Sequence, residues 1–248
     1  MHVNMEAVLY ICHGSRIREA SEQAISFIHQ VMKKVNSPIQ EIGFLELSEP
    51  TIAQSFERCV DKGATKIIVI PILLLTAAHA KIDIPNELTN LQLRFPEVEV
   101  KLGQPIGVHE KMIDPLLERL ADTKIPIKDD SMVLLVGRGS SDPDVKRDLT
   151  RIGEMLKQRS TVKRVEVCFL TAAKPSIQEG LEKANESGAE QVFVIPYLFF
   201  TGILMRKIEK YIKQVNMDMR TEWILCRYLG YHQMVEEIIN EQIIELSR

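Results

Sequence analysis

Three residues of this chain could act together on a metal ion: His13, Glu46 and His79. Each stands where an apolar run gives way to small or polar residues, in "VLYICHGS" (8–15), "IGFLELSEP" (42–50) and "VIPILLLTAAHAKIDIP" (69–85). A neutral imidazole accepts a proton near pH 7. Two imidazoles and one carboxylate make a mixed N/O set suited to a divalent transition metal such as Fe, Co, Ni or Zn. Three ligands leave coordination positions open, as a reactive site requires. The plainer reading is that each histidine caps a helix or bonds a carbonyl. Asp83 either orients His79 or caps the helix that follows. His29 reads as mid-helix, His2 and His109 as terminal or loop residues, and His232 as the start of the last helix. Basic residues follow the same strand ends: Arg16 and Arg18, Lys81, Arg138, then Arg206 and Lys207. Of these, Arg16, Lys81, Arg138 and Arg206 are the candidates to hold an anionic, carboxylate-rich ligand in a cleft between two lobes.

Positioning these side chains requires a regular frame. The pattern predicts strands over 7–12, 42–46, 66–74 and 98–103, with helices over 17–36, 51–62, 82–94 and 109–122. The run at 66–74 is almost wholly apolar, as in a parallel strand buried on both faces. Strand and helix alternate, which predicts an α/β doubly wound parallel sheet. In such sheets ligands gather at the carboxyl ends of the strands. A flavodoxin-like order 2-1-3-4 places strand one between strands two and three, so His13, Glu46 and His79 converge on one rim.

The chain then repeats itself at an offset of 125. Positions 8–76 and 133–201 share 17 identities in 69 without a gap, against about 4 expected by chance from ordinary residue frequencies. The second copy predicts strands near 132–136, 165–169, 191–197 and 222–227 and a last helix from about 232. The expected division is 1–124 for a lobe carrying the site and 125–248 for a degenerate lobe, joined near "TKIPIKDDS" (123–131). At this offset His13 becomes Arg138, Glu46 becomes Thr171 and His79 becomes Leu204. The framework Gly, Ser, Pro and Thr persist while all three candidate ligands disappear together. A shared task for the three residues explains that pattern; three independent structural histidines and acids do not.

Several functions are disfavoured. A formal net charge of −3 supplies no basic field for nucleic acid. No apolar stretch is long enough to span a membrane, and the N-terminus lacks a signal-peptide pattern, so the chain reads as cytoplasmic. The four cysteines, at 12, 59, 168 and 226, form no C-x-x-C pair. Cys12 beside His13 reads as a buried apolar residue rather than a reactive thiol. "GRGSSD" falls short of a dinucleotide fingerprint, and no P-loop motif is present. "ICHGSR" lacks the arginine before histidine that phosphohistidine enzymes need.

The segments "HGS", "FLELSEPTI", "GATKIIVIPILLLTAAHAKIDIP" and "GRGSSDPDVKRD" together resemble the class II tetrapyrrole chelatases, over nearly the whole chain. Those acting on sirohydrochlorin are the most similar. The resemblance implies two flavodoxin-like halves related by internal duplication. It implies insertion of Fe2+ into sirohydrochlorin to give sirohaem with release of two protons, His13, His79 and Glu46 handling metal and protons. Insertion of Co2+, as in anaerobic cobalamin synthesis, or a non-catalytic metal or tetrapyrrole carrier are the alternatives. It implies no cofactor beyond the divalent metal substrate, no ATP or nucleotide, and sirohydrochlorin as the partner molecule. With both halves in one chain, a monomer is expected.

Overall fold

In the computed structural model of the protein, residues 5–215, 221–230 and 232–248 are described; His2 lies outside them. The first repeat contains β1 (Glu6–Cys12), α1 (Arg18–Met32), β2 (Ile39–Phe44), α2 (Ile52–Asp61), β3 (Lys66–Pro71), α3 (Ile84–Arg94), β4 (Glu99–Leu102) and α4 (Ile113–Asp122). The second contains β5 (Ser131–Gly137), α5 (Pro143–Arg159), β6 (Arg164–Phe169), α6 (Ile177–Glu186), β7 (Gln191–Pro196), α7 (Ile203–Val215), β8 (Glu222–Leu225) and α8 (Gln233–Ser247). Two four-stranded parallel sheets result, in the orders β2-β1-β3-β4 and β6-β5-β7-β8. This is the expected doubly wound order, twice.

The central strands explain themselves. Val8, Leu9 and Ile11 of β1 and Ile67, Ile68 and Val69 of β3 have no exposed surface. Each such side chain contributes about 1.5–3 kcal/mol by leaving water. β2 is an edge strand and only half buried. It lies at 39–44 rather than 42–46, because its polar–apolar alternation extends back through "IQEI" while the chain turns out of the sheet after Phe44. β3 stops at Pro71 rather than Leu74, and Ile72 N–H makes one more bond, to the Ile11 carbonyl at 2.7 Å.

Helix starts follow local chemistry. Thr51 caps α2 with a reciprocal box: Gln54 N–H donates to Thr51 Oγ1 at 3.2 Å and Thr51 N–H to Gln54 Oε1 at 2.8 Å. Ser176 and Glu179 form the same box on α6. Each cap contributes about 1 kcal/mol.

The packing divides the chain differently from the repeat. One compact unit contains residues up to Gly107 together with Val235–Arg248; the other is Val108–Met234. The sequence halves meet near residue 124, but the last helix of each half belongs to the other half's unit. Thus α4 holds α5 through Asp114 and Arg159, 2.7 Å apart. Helix α8 is received by the first sheet: buried Lys66 donates to the Leu246 and Ser247 carbonyls at 3.0 and 3.1 Å, and Lys101 to Leu246 at 2.9 Å. Cations at a helix C-terminus satisfy its unpaired carbonyls and its dipole. Among the described residues no helix is long and apolar enough to cross a membrane.

Candidate metal centre

Register brings His13 and Glu46 together. Cys12 pairs with Phe44 at the end of the β1–β2 ladder. The parallel pairing continues past both strands, with Leu45 N–H bonding the Cys12 carbonyl at 2.9 Å and Glu46 N–H the His13 carbonyl at 3.1 Å. The two side chains therefore leave adjacent chains at the same level, and His13 Nε2 lies 3.5 Å from Glu46 Oε1. His13 Nδ1 lies 3.3 Å from the Gly14 carbonyl, a contact suited to Nδ1–H donation.

The turn after His13 has room for glycine alone. Gly14 has φ +90°, and a Cβ there would lie 1.7 Å from the Glu46 carbonyl oxygen. A serine bracket holds the turn on its other side. Ser15 N–H donates to Ser48 Oγ at 3.1 Å, and Ser21 Oγ lies 3.0 Å from the same atom.

His79 arrives from the other neighbour of β1. The chain leaving β3 is tied down by the continuation of β4, through Ile106 N–H to Leu73 and Gly107 N–H to Leu74, both 2.9 Å. It then forms a π-helical turn over His79–Asp83, in which Ile84 N–H bonds the His79 carbonyl. Pro85 accounts for this wide turn. It has no N–H to offer Lys81, and its ring would meet the Lys81 carbonyl in a regular helix. The sequence pattern predicts a regular helix from 82; the structure differs there because of the proline in "IDIP".

The outcome is a compact trio. One ligand atom from each of His13, Glu46 and His79 falls within 4.8 Å of the others. The imidazole rings meet edge to face, centroids 4.8 Å apart at 88°. Ligands on one tetrahedral ion with 2.0–2.1 Å bonds stand about 3.3 Å apart. The His13–Glu46 pair is near that spacing already, and His79 needs only a small approach. His79 Nδ1 is 2.7 Å from Asp83 Oδ2, which leaves Nε2 for a ligand. Exposed Leu47 and Ile82 stand next to Glu46 and within the His79 turn.

Of the other candidates, Arg16 and Lys81 are exposed and belong to the unit that holds the trio; Arg138 and Arg206 are exposed in the other unit. Lys207 donates to the Leu170 carbonyl at 3.0 Å, and Arg18 pairs with Glu22 at 2.6 Å, so both have local structural partners. His232 pairs with Glu118 at 2.7 Å, both in the unit that does not contain the trio. Cys12 is buried, and burial pushes its thiol up to about 12; a thiol so protonated is no nucleophile.

The second repeat keeps the backbone of this rim. Gly139 also has φ +90°, with a Cβ position 1.9 Å from the Thr171 carbonyl oxygen. Thr171 N–H bonds the Arg138 carbonyl at 2.9 Å, and Leu170 N–H that of Gly137 at 3.0 Å. The description of the family named CbiX matches residues 7–123 and again 132–246. The chain belongs to the CbiX family. A sirohydrochlorin ferrochelatase of Priestia megaterium is 51% identical over 239 residues, 96% of this chain and 90% of the relative. A sirohydrochlorin cobaltochelatase of the same organism is 36% identical, over 97% of this chain and 80% of its own length. The solved structure of SirB from Bacillus subtilis with Fe3+ superposes with a TM-score of 0.89 at 41% identity, covering 97% of this chain and 95% of that one. As a CbiX member this chain carries two copies of the family fold and, among the described residues, one three-ligand cluster.

Proposed function

We propose that the protein is a sirohydrochlorin ferrochelatase: it inserts Fe2+ into sirohydrochlorin, giving sirohaem and two protons. The observation that carries this reading is the His13–Glu46–His79 trio, built on a CbiX framework and lost as a set from the repeated copy. The macrocycle must surrender two pyrrolic protons as the ion enters. His13 and His79 are the groups suited to hold the ion and accept those protons, and Glu46 to share the ion's charge and pass protons to water. Three ligands at these spacings hold a metal without saturating it, as a site that gives its metal away must.

Leu47 and Ile82 offer apolar surface to a flat ring. Their counterparts in the second repeat are Ala172 and Lys207, so this surface disappears with the ligands. Arg16 and Lys81, in the trio's own unit, are the cations for the substrate's carboxylates. The reaction needs no nucleotide, and we place it in the cytoplasm, in a monomer. Cobalt insertion is the second reading, favoured by the cobaltochelatase relative, since an N/O trio accepts either ion.

The test is anaerobic. Purified protein is mixed with sirohydrochlorin and Fe2+ or Co2+ in parallel, and loss of the metal-free chromophore is followed. The expected result is multiple turnovers, lowered at least about 100-fold in His13→Ala and His79→Ala. The ratio of the two metal rates ranks the two readings. Tetrapyrrole binding with insertion no faster than the uncatalysed rate would overturn both and leave a carrier.

A further inference from the structure

Asp83 lies four residues after His79, and the two side chains meet at 2.7 Å, Oδ2 to Nδ1. The obvious structural task for this aspartate is to cap α3. It does not do so: Asp83 stands at the N-cap position of α3 with helical backbone angles and no capping bond from its side chain. The π turn explains what it does instead. With the Ile84 N–H reaching five residues back to His79, the turn is widened, and the side chains at its two ends come to one side.

The second repeat again supplies a control. Asp83 corresponds to Ile208, a core residue with no exposed surface, and His79 to Leu204. Pro85 corresponds to Lys210, and the chain there is regular α-helix from Ile203 onward. Proline, wide turn, imidazole and carboxylate are thus present together in one copy and absent together from the other.

We infer that Asp83 is a positioning residue: it accepts the Nδ1–H of His79, fixing the tautomer and ring orientation that turn Nε2 toward the incoming metal. This deepens the chelatase reading and rests on it for its purpose, though not for its measurement. An imidazole can present a lone pair at only one nitrogen when neutral, and the partner of the other nitrogen decides which. Without the carboxylate the proton is free to settle on Nε2, where it blocks the metal. Carboxylates behind metal-binding histidines typically change metal affinity 10–100-fold.

The experiment uses the full chain without tetrapyrrole. Nitrogen-15 spectra of the histidine side chains report the His79 tautomer, and calorimetry with Co2+ alone reports affinity. Wild type should show His79 protonated at Nδ1. Asp83→Ala should shift protons to Nε2 and weaken Co2+ binding at least 10-fold. Asp83→Asn, whose carbonyl can still accept from Nδ1–H, should stay nearer wild type. A wild-type spectrum with His79 protonated at Nε2 overturns the inference without any variant. So does an Asp83→Ala protein with unchanged spectrum and Co2+ affinity within twofold. If wild type binds Co2+ and shows the Nδ1–H form but inserts no metal, the chelatase reading fails and the positioning role stands.

Discussion

The rims of the two sheets share a backbone and differ in almost every side chain that could do chemistry. Gly14 and Gly139 have the same φ of +90°. Leu47 and Ala172 both take positive φ, 62° and 50°. The N–H groups of Phe44 and Phe169 donate to the carbonyls of Pro50 and Pro175, at 2.8 and 3.0 Å, and close the same loop on both rims. Positive φ at a non-glycine residue invites a functional explanation. Here the degenerate rim keeps it, so the left-handed residue belongs to the fold of the loop. The proposed function rests on what hangs from it: histidine, glutamate and histidine on one rim, arginine, threonine and leucine on the other.

Glycine substitutions would break this comparison most forcefully. Gly14→Ala and Gly139→Ala should each cost about 3 kcal/mol or more, since either Cβ would overlap a carbonyl oxygen and adopt a left-handed conformation. Urea unfolding checks this. Equal losses mean that the two rims are equivalent scaffolds; a markedly smaller loss at Gly139 would show that the degenerate loop has relaxed.

Moving the ligands is the next step down. A triple variant, Arg138→His with Thr171→Glu and Leu204→His, rebuilds the side chains on the second rim. It should bind a second Co2+ at least about tenfold more weakly than the first, a difference of about 1.4 kcal/mol. The reason is that Leu204 stands in a regular helix with Ile208, not an aspartate, four residues on. Two equal equivalents in calorimetry would mean that the backbone alone suffices and the π turn adds nothing.

The smallest effect separates the two helix caps. Hydrogen bonds from the Lys174 side chain and from Ser176 hold Glu179 down to about 2, from an ordinary 4.5. A carboxylate depressed on folding stabilises the protein above its unfolded value, and that stability is lost as pH falls from about 4.5 through 2. Gln54 does the same work on α2 and does not titrate. Hydrogen exchange across this acid range should show the first turn of α6 opening while that of α2 is unchanged. Parallel opening of both would assign the acid response elsewhere.

Much of the site was legible because parallel strands leave little freedom in where their ends lie. Once β1 is central, residues following β1, β2 and β3 must share an edge, and His13, Glu46 and His79 follow those strands. The sequence pattern sets the start of β2 three residues late because a half-buried edge strand has a weak apolar signal. The π turn is hidden in the sequence because helical periodicity dominates "KIDIPNELTNL", although Pro85 marks the break. The destination of α4 was not legible at all. An amphipathic helix announces that it has an apolar face, not which of two sheets of the same strand order will cover it.

That last ambiguity has a consequence for the gene as well as for the chain. Because α4 and α8 are traded, cleavage at the repeat boundary does not release two independent proteins. It yields two incomplete ones, each carrying the piece the other lacks. A fragment ending at residue 124 keeps the whole metal trio but loses α8, and with it the carbonyls that satisfy Lys66 and Lys101. Each unit is thus completed by a helix that the other repeat encodes, and the two repeats depend on each other for a whole fold.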